Sequence, residues 1–557
     1  MNSIINGFIN YYKIKNSKKS RLRDINPFNE IQILIDVKEY KPDEKIFFLN
    51  LKELNEKNTE LFINNEKNKY KNYFIPIKKG EYNITVKFNF NLKDCRYMFA
   101  GCNNIKNINF INFKNEYITK MNYMFIDCQN LKNINFYSFS TDIVSNMSHL
   151  FYNCINLEYI NMFSFNTKNV INMNSMFYGC INLKYIDLTN FNTKKVKDMS
   201  NMFYNCKRLN NLDISSFDTE NVSDISNMFY GCERIRELKL TTFNTKNITN
   251  MNSMFANCFK LKNIDLSSFK TTNVTNMSNM FYSCESIENL DLSLFDTKSV
   301  INITGIFYNC KNLKTLNISP LNVENIKTLK DLFFGCNNII NINLVIFNAK
   351  NLIDMGNFFY NCHQLKSVNL SCLDADNVIN MSNMFYNCYK LENLDLSSFF
   401  AKKVKDMSNM FYNCESLNKL DLSNINTENV INMSNMFNGC KNFKDLNLSY
   451  FKTINVTNMN NMFGNCQGLQ NIDLSKFITI NVSDMSNMFY NCKNLNNLLL
   501  SSFQTEKEKN ISAMFYGCEN LVYLKISSFN TINVTNMSEL FKDCKSLKNL
   551  DLSFLNT

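Results

Sequence analysis

The sequence predicts an α/β repeat solenoid, a stack of about 18 strand-turn-helix coils behind a small β-rich N-terminal domain, and three observations predict it. Cysteines at 102, 128, 154 and onward to 544 recur every 26 residues, 18 in all, without insertion or deletion; Cys95 and Cys372 fall outside the series. A register held over that length belongs to identical units stacked in one direction, because a globular domain gains nothing from keeping it. Within each unit an alternating stretch is followed by apolar residues at i, i+3, i+4 and i+7. Finally, 12 Gly and 4 Pro in 557 residues leave little loop, while 45% apolar residues, with 49 Phe and 28 Met, supply an ample core.

In chain order, residues 1–24 read as a basic tail in which Lys13, Lys15, Lys18, Lys19, Arg21 and Arg23 follow Phe8, Tyr11 and Tyr12. Residues 1–96 hold 19 Lys and Arg against 12 Asp and Glu, so +7 of the total +11 charge is concentrated there. Such a tail can attract anionic membrane or nucleic acid. A solvated tail is the expected reading, and neither membrane nor nucleic acid is an expected partner. Residues 25–96 read as a small β-rich capping domain, with strands at IQILIDV, KIFFLNL, TELFIN, KNYFIPI and YNITVKFNF and a hairpin-type turn at KKGEY. Its task is to cover the apolar end that the first coil would otherwise expose.

The solenoid occupies residues 97–557, and the coil from Cys284 to Cys310 stands for the rest. ENLDLSLF alternates, so Leu290 and Leu292 point inward and Asn289, Asp291 and Ser293 outward. Then Ile303, Ile306, Phe307 and Cys310 fall on one face of about two helical turns, as do Met277, Met280, Phe281 and Cys284, or Met407, Met410, Phe411 and Cys414. Asn276 and Asp406 precede the first of these and would cap the helix. Thirteen residues after the cysteine, 13 copies have Thr, as at Thr193, Thr245 and Thr453, expected to close the turn between strand and helix.

The strand pattern L-x-x-L-x-L in a 26-residue unit makes the coils leucine-rich-repeat-like, and the wording LDLSSFxTxxVxxMSxMFxxCxxL resembles the BspA-like leucine-rich repeats of bacterial surface lipoproteins and large protist families. That resemblance spans residues 97 to 557 and implies a cell-surface or protein-binding role, including adhesion. The N-terminus shows neither the charge order nor the cleavage site of a secretory signal, which by itself points to the cytoplasm. With two His in the chain, no Gly-rich phosphate loop and no break in register to form a pocket, an enzyme is not expected. The expectation is therefore a non-catalytic protein-binding solenoid, with an intracellular scaffold or a self-associating structural protein as the alternative.

Three features are candidates for that role. Seven residues after the cysteine, the outward strand position is Asp in eight copies, at Asp187, Asp213, Asp265, Asp291, Asp395, Asp421, Asp473 and Asp551, and Asn in seven. This column is the candidate partner-binding face. Stacked carboxylates could gather calcium, but Asn replaces Asp almost as often and the column lies on a strand, so a solvated polar ladder without metal or cofactor is expected. Leu550, Leu552 and Phe554 form the candidate edge for homo-association, where the last strand lacks a further coil. Between 301 and 375 the Thr column is lost to Val323, Ala349 and Ala375, Pro320 enters beside a strand and Cys372 is extra, which marks that stretch for partner contact. The 18 cysteines themselves are expected to be buried and reduced, since a uniform column offers no unique pairing and a linear ladder does not converge on a metal.

Overall fold

The structure is a computed structural model that describes residues 28–113, 115–136, 138–318, 324–344, 351–370, 373–396, 399–548 and 550–553. The tail at 1–24 lies outside them. So do Pro320, Val323, Ala349, Cys372 and Phe554.

The chain opens on a sheet that changes character as it meets the repeats. Strand β1 (Asn29–Val37) and strand β6 (Gly80–Phe88) pair antiparallel along their whole lengths, from Asn29↔Phe88 to Val37↔Gly80. Between them in sequence come β2 (Ile46–Phe47), β3 (Thr59–Ile63), β4 (Glu66–Asn68) and β5 (Tyr73–Phe74). β3 lies on the far side of β6 and turns into the edge strand β4 through Asn64 and Asn65, both left-handed at φ 50° and 69°. KKGEY is not a hairpin between partners, because β5 pairs with β2 while β6 pairs with β1 and β3. On its other edge β1 pairs antiparallel with β7 (Ile105–Asn112), and β7 pairs parallel with β8 (Asn133–Asn135), 26 residues on. β7, antiparallel to β1 and parallel to β8, is thus the joint between an antiparallel sheet and a parallel stack. Asn50 adds a second tie, its backbone N–H donating to the Met98 carbonyl at 2.7 Å and its side chain to the Ala100 carbonyl at 2.8 Å.

Beyond β8 the chain is a parallel β-solenoid. Where the short strands pair, they do so in parallel with the equivalent residues one coil away, as Asn289↔Thr315, Leu290↔Leu316 and Asp291↔Asn317. The paired stretches are two or three residues long and form several small sheets instead of one long one. A second ladder of single bridges, from Lys120↔Asn146 to Asn510↔Asn536, joins the residues eight before each cysteine.

The expected strand-turn-helix coil is corrected here, because the described residues contain no helix. Where Met277 to Cys284 should wind two helical turns, Asn279 and Ser283 are left-handed at φ 56° and 54°, and a right-handed helix cannot run through them. The amides alternate instead. Met280 and Cys284 donate within the coil, to the carbonyls of Met277 and Phe281 at 3.2 and 3.0 Å. Asn279, Phe281 and Ser283 donate to the next coil, to Thr304, Ile306 and Tyr308 at 2.9, 3.0 and 2.6 Å. Each coil therefore has a corner of two linked turns whose remaining hydrogen bonds run along the solenoid. Asn276 and Asp406 do cap, but they cap this corner: their side-chain oxygens accept the N–H of Ser278 and Ser408, two residues on, at 3.0 and 2.9 Å.

The inward set survives the correction. Met277, Met280, Phe281 and Cys284 are all at most 1% exposed, and the Phe rings stack from coil to coil, 5.2 Å apart at Phe125–Phe151 and 5.7 Å at Phe515–Phe541. The described repeat cysteines are free thiols. From Cys128 onward each Sγ donates to the carbonyl of the Phe one coil earlier, as Cys284 does to Phe255 at 3.1 Å.

Candidate functional site

The side of the solenoid made by the paired strands is the candidate site, and its geometry begins with the acidic column. Asp187, Asp213, Asp265, Asp291, Asp421, Asp473 and Asp551 each accept the backbone N–H two residues on, at 2.9 to 3.1 Å. The Ser215 hydroxyl and amide together hold the Asp213 carboxyl below the ordinary carboxylate range. Each Asp thus folds the chain as it leaves the strand. Asn447 makes the same turn with Ser449, accepting its amide at 3.1 Å and its hydroxyl at 2.8 Å, which explains why Asp and Asn interchange in this column. Among the described residues no group of three or more His, Cys, Asp or Glu is placed to hold a metal ion.

Among the described residues, grooves open on this side, and two of them concern the column. The larger, about 1050 Å³, runs over the coils between Lys314 and Lys419. Its floor is Leu316, Ile342, Val368 and Leu394, and Thr315, Asn341, Ser367 and Asn393 stand along it. The smaller, about 670 Å³, lies between Glu237 and Asn289 and includes Lys239, Lys262 and Glu288. Of the eight predicted aspartates, Asp395 lines the larger groove and Asp265 the smaller. Leu316 and Leu394 are only partly buried while Ile342 and Val368, between them, are 6% and 4% exposed, so the larger groove offers apolar surface toward its two ends; Ile264 in the smaller groove is partly buried too.

The same stretch lacks a tie that other coils have. Thr193 is wholly buried, its hydroxyl donating to the Asp218 carbonyl at 2.8 Å and accepting the Asp218 amide at 2.7 Å, so the column joins neighbouring coils instead of merely closing a turn. Thr245 and Thr453 do likewise with Lys270 and Ile478. In that column Ala375 and Ala401, both 0% exposed, carry no hydroxyl. At the candidate association edge Leu550 is half-buried and Leu552 is 45% exposed.

Two features were missed in the sequence. Tyr two residues before the cysteine forms a half-buried ladder, with rings of Tyr152, Tyr178, Tyr204 and Tyr230 parallel and 4.4 Å apart; its recurrence in the NMFYNC motif was the available signal. The other is Glu508, fully buried where the adjacent coils have Val482 and Val534. Its Oε1 accepts the amides of Met485 and Asn510 at 3.2 and 3.0 Å, and its Oε2 has no partner among the described residues. Burial pushes its pKa up to about 7. TEKEK in place of the usual T-x-N-V-x was the signal.

The sequence profile of a family described as "Mycoplasma protein of unknown function, DUF285" matches the chain at residues 70–161, 93–211, 153–238, 232–342, 327–425, 417–523 and 497–557. No curated protein matches. Among solved structures, the chain is similar to a leucine-rich repeat protein from Eubacterium ventriosum at 16% identity and TM-score 0.29, covering 62% of this chain and 78% of that one. It is also similar to the functional domain of InlJ from Listeria monocytogenes, described as including a cysteine ladder, at 12% identity and TM-score 0.19, covering 71% and 70%. A third is the Toll–Spatzle complex from Drosophila, at 15% identity and TM-score 0.23, covering 73% and 48%.

Proposed function

This chain belongs to the DUF285 family, and from that premise we propose that it is a non-catalytic protein-binding solenoid whose strand side, centred on the groove between Lys314 and Lys419, receives the partner. The observation that carries this reading is the groove itself: a partly open apolar floor between in-register polar columns, lying over the coils where Ala375 and Ala401 replace the buried Thr tie. Such a surface offers apolar area for burial and amides for hydrogen bonds to an incoming chain. The aspartate column contributes two members to the grooves, Asp265 and Asp395, and the other six shape the strand exits around them. A cell-surface, BspA-like adhesive role is the finer form of the same proposal, and an intracellular scaffold would use the same side.

The test is affinity capture with the full chain, followed by paired variants. Asn341→Lys with Asn393→Lys places two cations on the groove rim, at exposed positions. Ile431→Lys places one on the bridge ladder, where Ile431 is 46% exposed. A partner lost by the first and kept by the second supports the proposal. A partner kept by the first and lost by the second rejects it, and recovery of the chain itself as sole partner favours self-association through an edge such as Leu550 and Leu552.

A further inference from the structure

We propose that the β2–β5 ribbon near the N-terminus is a docking face for an anionic lipid surface, separate from the strand side. β2 and β5 pair antiparallel, with Ile46 opposite Phe74 and Phe47 opposite Tyr73. Ile46 and Phe74 are buried at 3% and 6% exposure, so alternation sends Lys45, Phe47, Lys71, Tyr73, Ile75 and Ile77 to the other face. Exposure agrees: Phe47 and Ile75 are each 47% exposed and Ile77 is 80% exposed. Nothing covers this face among the described residues.

The face is held out, not frayed. The Tyr82 hydroxyl, itself buried, accepts the amides of Ile77 and Lys78 at 3.1 Å each and donates to the Lys78 carbonyl at 2.8 Å. Pro76 packs inward between the two isoleucines. The loop that carries Ile77 to its exposed position is therefore pinned from beneath.

Charge selects the occupant. Lys45 and Lys71 lie on the face, Lys78 and Lys79 follow Ile77, and among the described residues no carboxylate forms an ion pair with any of the four. An aliphatic tip flanked by ammonium groups suits a bilayer, where the apolar side chain enters the hydrocarbon edge and the lysines remain at the phosphates. Nucleic acid fits less well, because base stacking needs open ring faces. Here the Tyr73 ring has Lys45 Nζ at 4.8 Å, Lys71 Nζ at 5.5 Å and the Phe47 ring at 5.5 Å.

The experiment is flotation of the full chain with vesicles of phosphatidylcholine alone and of phosphatidylcholine with phosphatidylserine, with a polynucleotide arm beside them. Binding to the phosphatidylserine vesicles is expected, with little to phosphatidylcholine alone. Ile77→Ser should lower it roughly tenfold, since the residue's apolar burial is lost. Lys78→Ala with Lys79→Ala should lower it by at least about tenfold, each cation near the surface being worth about fivefold. Because the chain has no Trp, Ile77→Trp supplies a unique reporter whose emission should shift to the blue on those vesicles. Absence of vesicle binding overturns the proposal. So does binding that both variants leave unchanged, an unshifted emission from Ile77→Trp, or binding confined to the polynucleotide.

Discussion

The corner of each coil and its strand side are built from the same 26-residue repeat, yet they tolerate change very differently. At the corner every copy has a left-handed residue just before the cysteine, from Gly101 to Asp543, and only Gly, Asn, Asp or Ser fills that place. On the strand side the outward positions range over Asn, Asp, Lys, Tyr, Glu, Ser, Thr and Leu. The corner's residues are tied by the alternating hydrogen bonds and by the Phe, Met and Cys packed beneath, so a change there is felt in two coils. On the strand side the side chains of the Asp and Asn column are tied to their own turn, as Asp213 and Asn447 are to Ser215 and Ser449. The difference teaches that the corner is the spine and that variation, and with it recognition, is free to collect on the strands and their grooves.

Breaking the spine should have the largest effect. Phe281→Ala removes a ring that stacks on Phe255 at 5.5 Å and Phe307 at 6.2 Å, and should cost about 3 to 5 kcal/mol, read from the urea midpoint. Glu508→Val should act in the opposite direction and only at higher pH. Because burial raises the folded pKa from 4.5 to about 7, the carboxyl's favourable contribution is fully present below pH 4.5 and is lost as pH rises through 7. The variant should therefore gain roughly 3 kcal/mol over the parent at pH 8, and that part of the gain should vanish by pH 4. Parallel stability-against-pH curves for the two proteins would contradict it.

Smaller effects sharpen the contrast. Thr193→Val removes both bonds to Asp218 and should lower the midpoint by the equivalent of about 1 to 2 kcal/mol, whereas Ala375→Thr should raise it by supplying the missing tie. Cys284→Ser leaves a hydroxyl near the Phe255 carbonyl that the thiol already uses, so its cost should be about 1 kcal/mol or less. The thiols should react slowly in the folded chain and fully on unfolding, burial having pushed them up, to about 12 at Cys258. At the bottom of the scale, Asp213→Asn should lower the unfolding midpoint at neutral pH only slightly, since Asn447 makes the same turn and all that is lost is the small gain of the ionised carboxyl over Ser215.

Much of this architecture is legible in the sequence. Period, stacking direction, inward residues and strand positions follow from the cysteine spacing and from alternation, and Leu290, Phe281 and Cys284 are buried as their pattern requires. The helix was misread for a physical reason: a pair of linked turns with left-handed residues four apart also brings i, i+3, i+4 and i+7 to one side, so apolar spacing alone does not distinguish the two. Asn279 and Ser283, poor helix formers of which Asn readily turns left-handed, were the discriminating letters. The aspartate column was found but its turn-forming part was not, because Asp213 is read against Ser215 only once the backbone brings that amide back to it. Grooves arise from how coils sit against one another, and Leu316 and Leu290 are the same letter in the same column.

The most direct test of the spine is far-UV circular dichroism of the full chain. Linked turns and short parallel strands predict a β-type spectrum without the double minimum of helix. A helical double minimum deep enough for two helical turns in every coil would contradict the account.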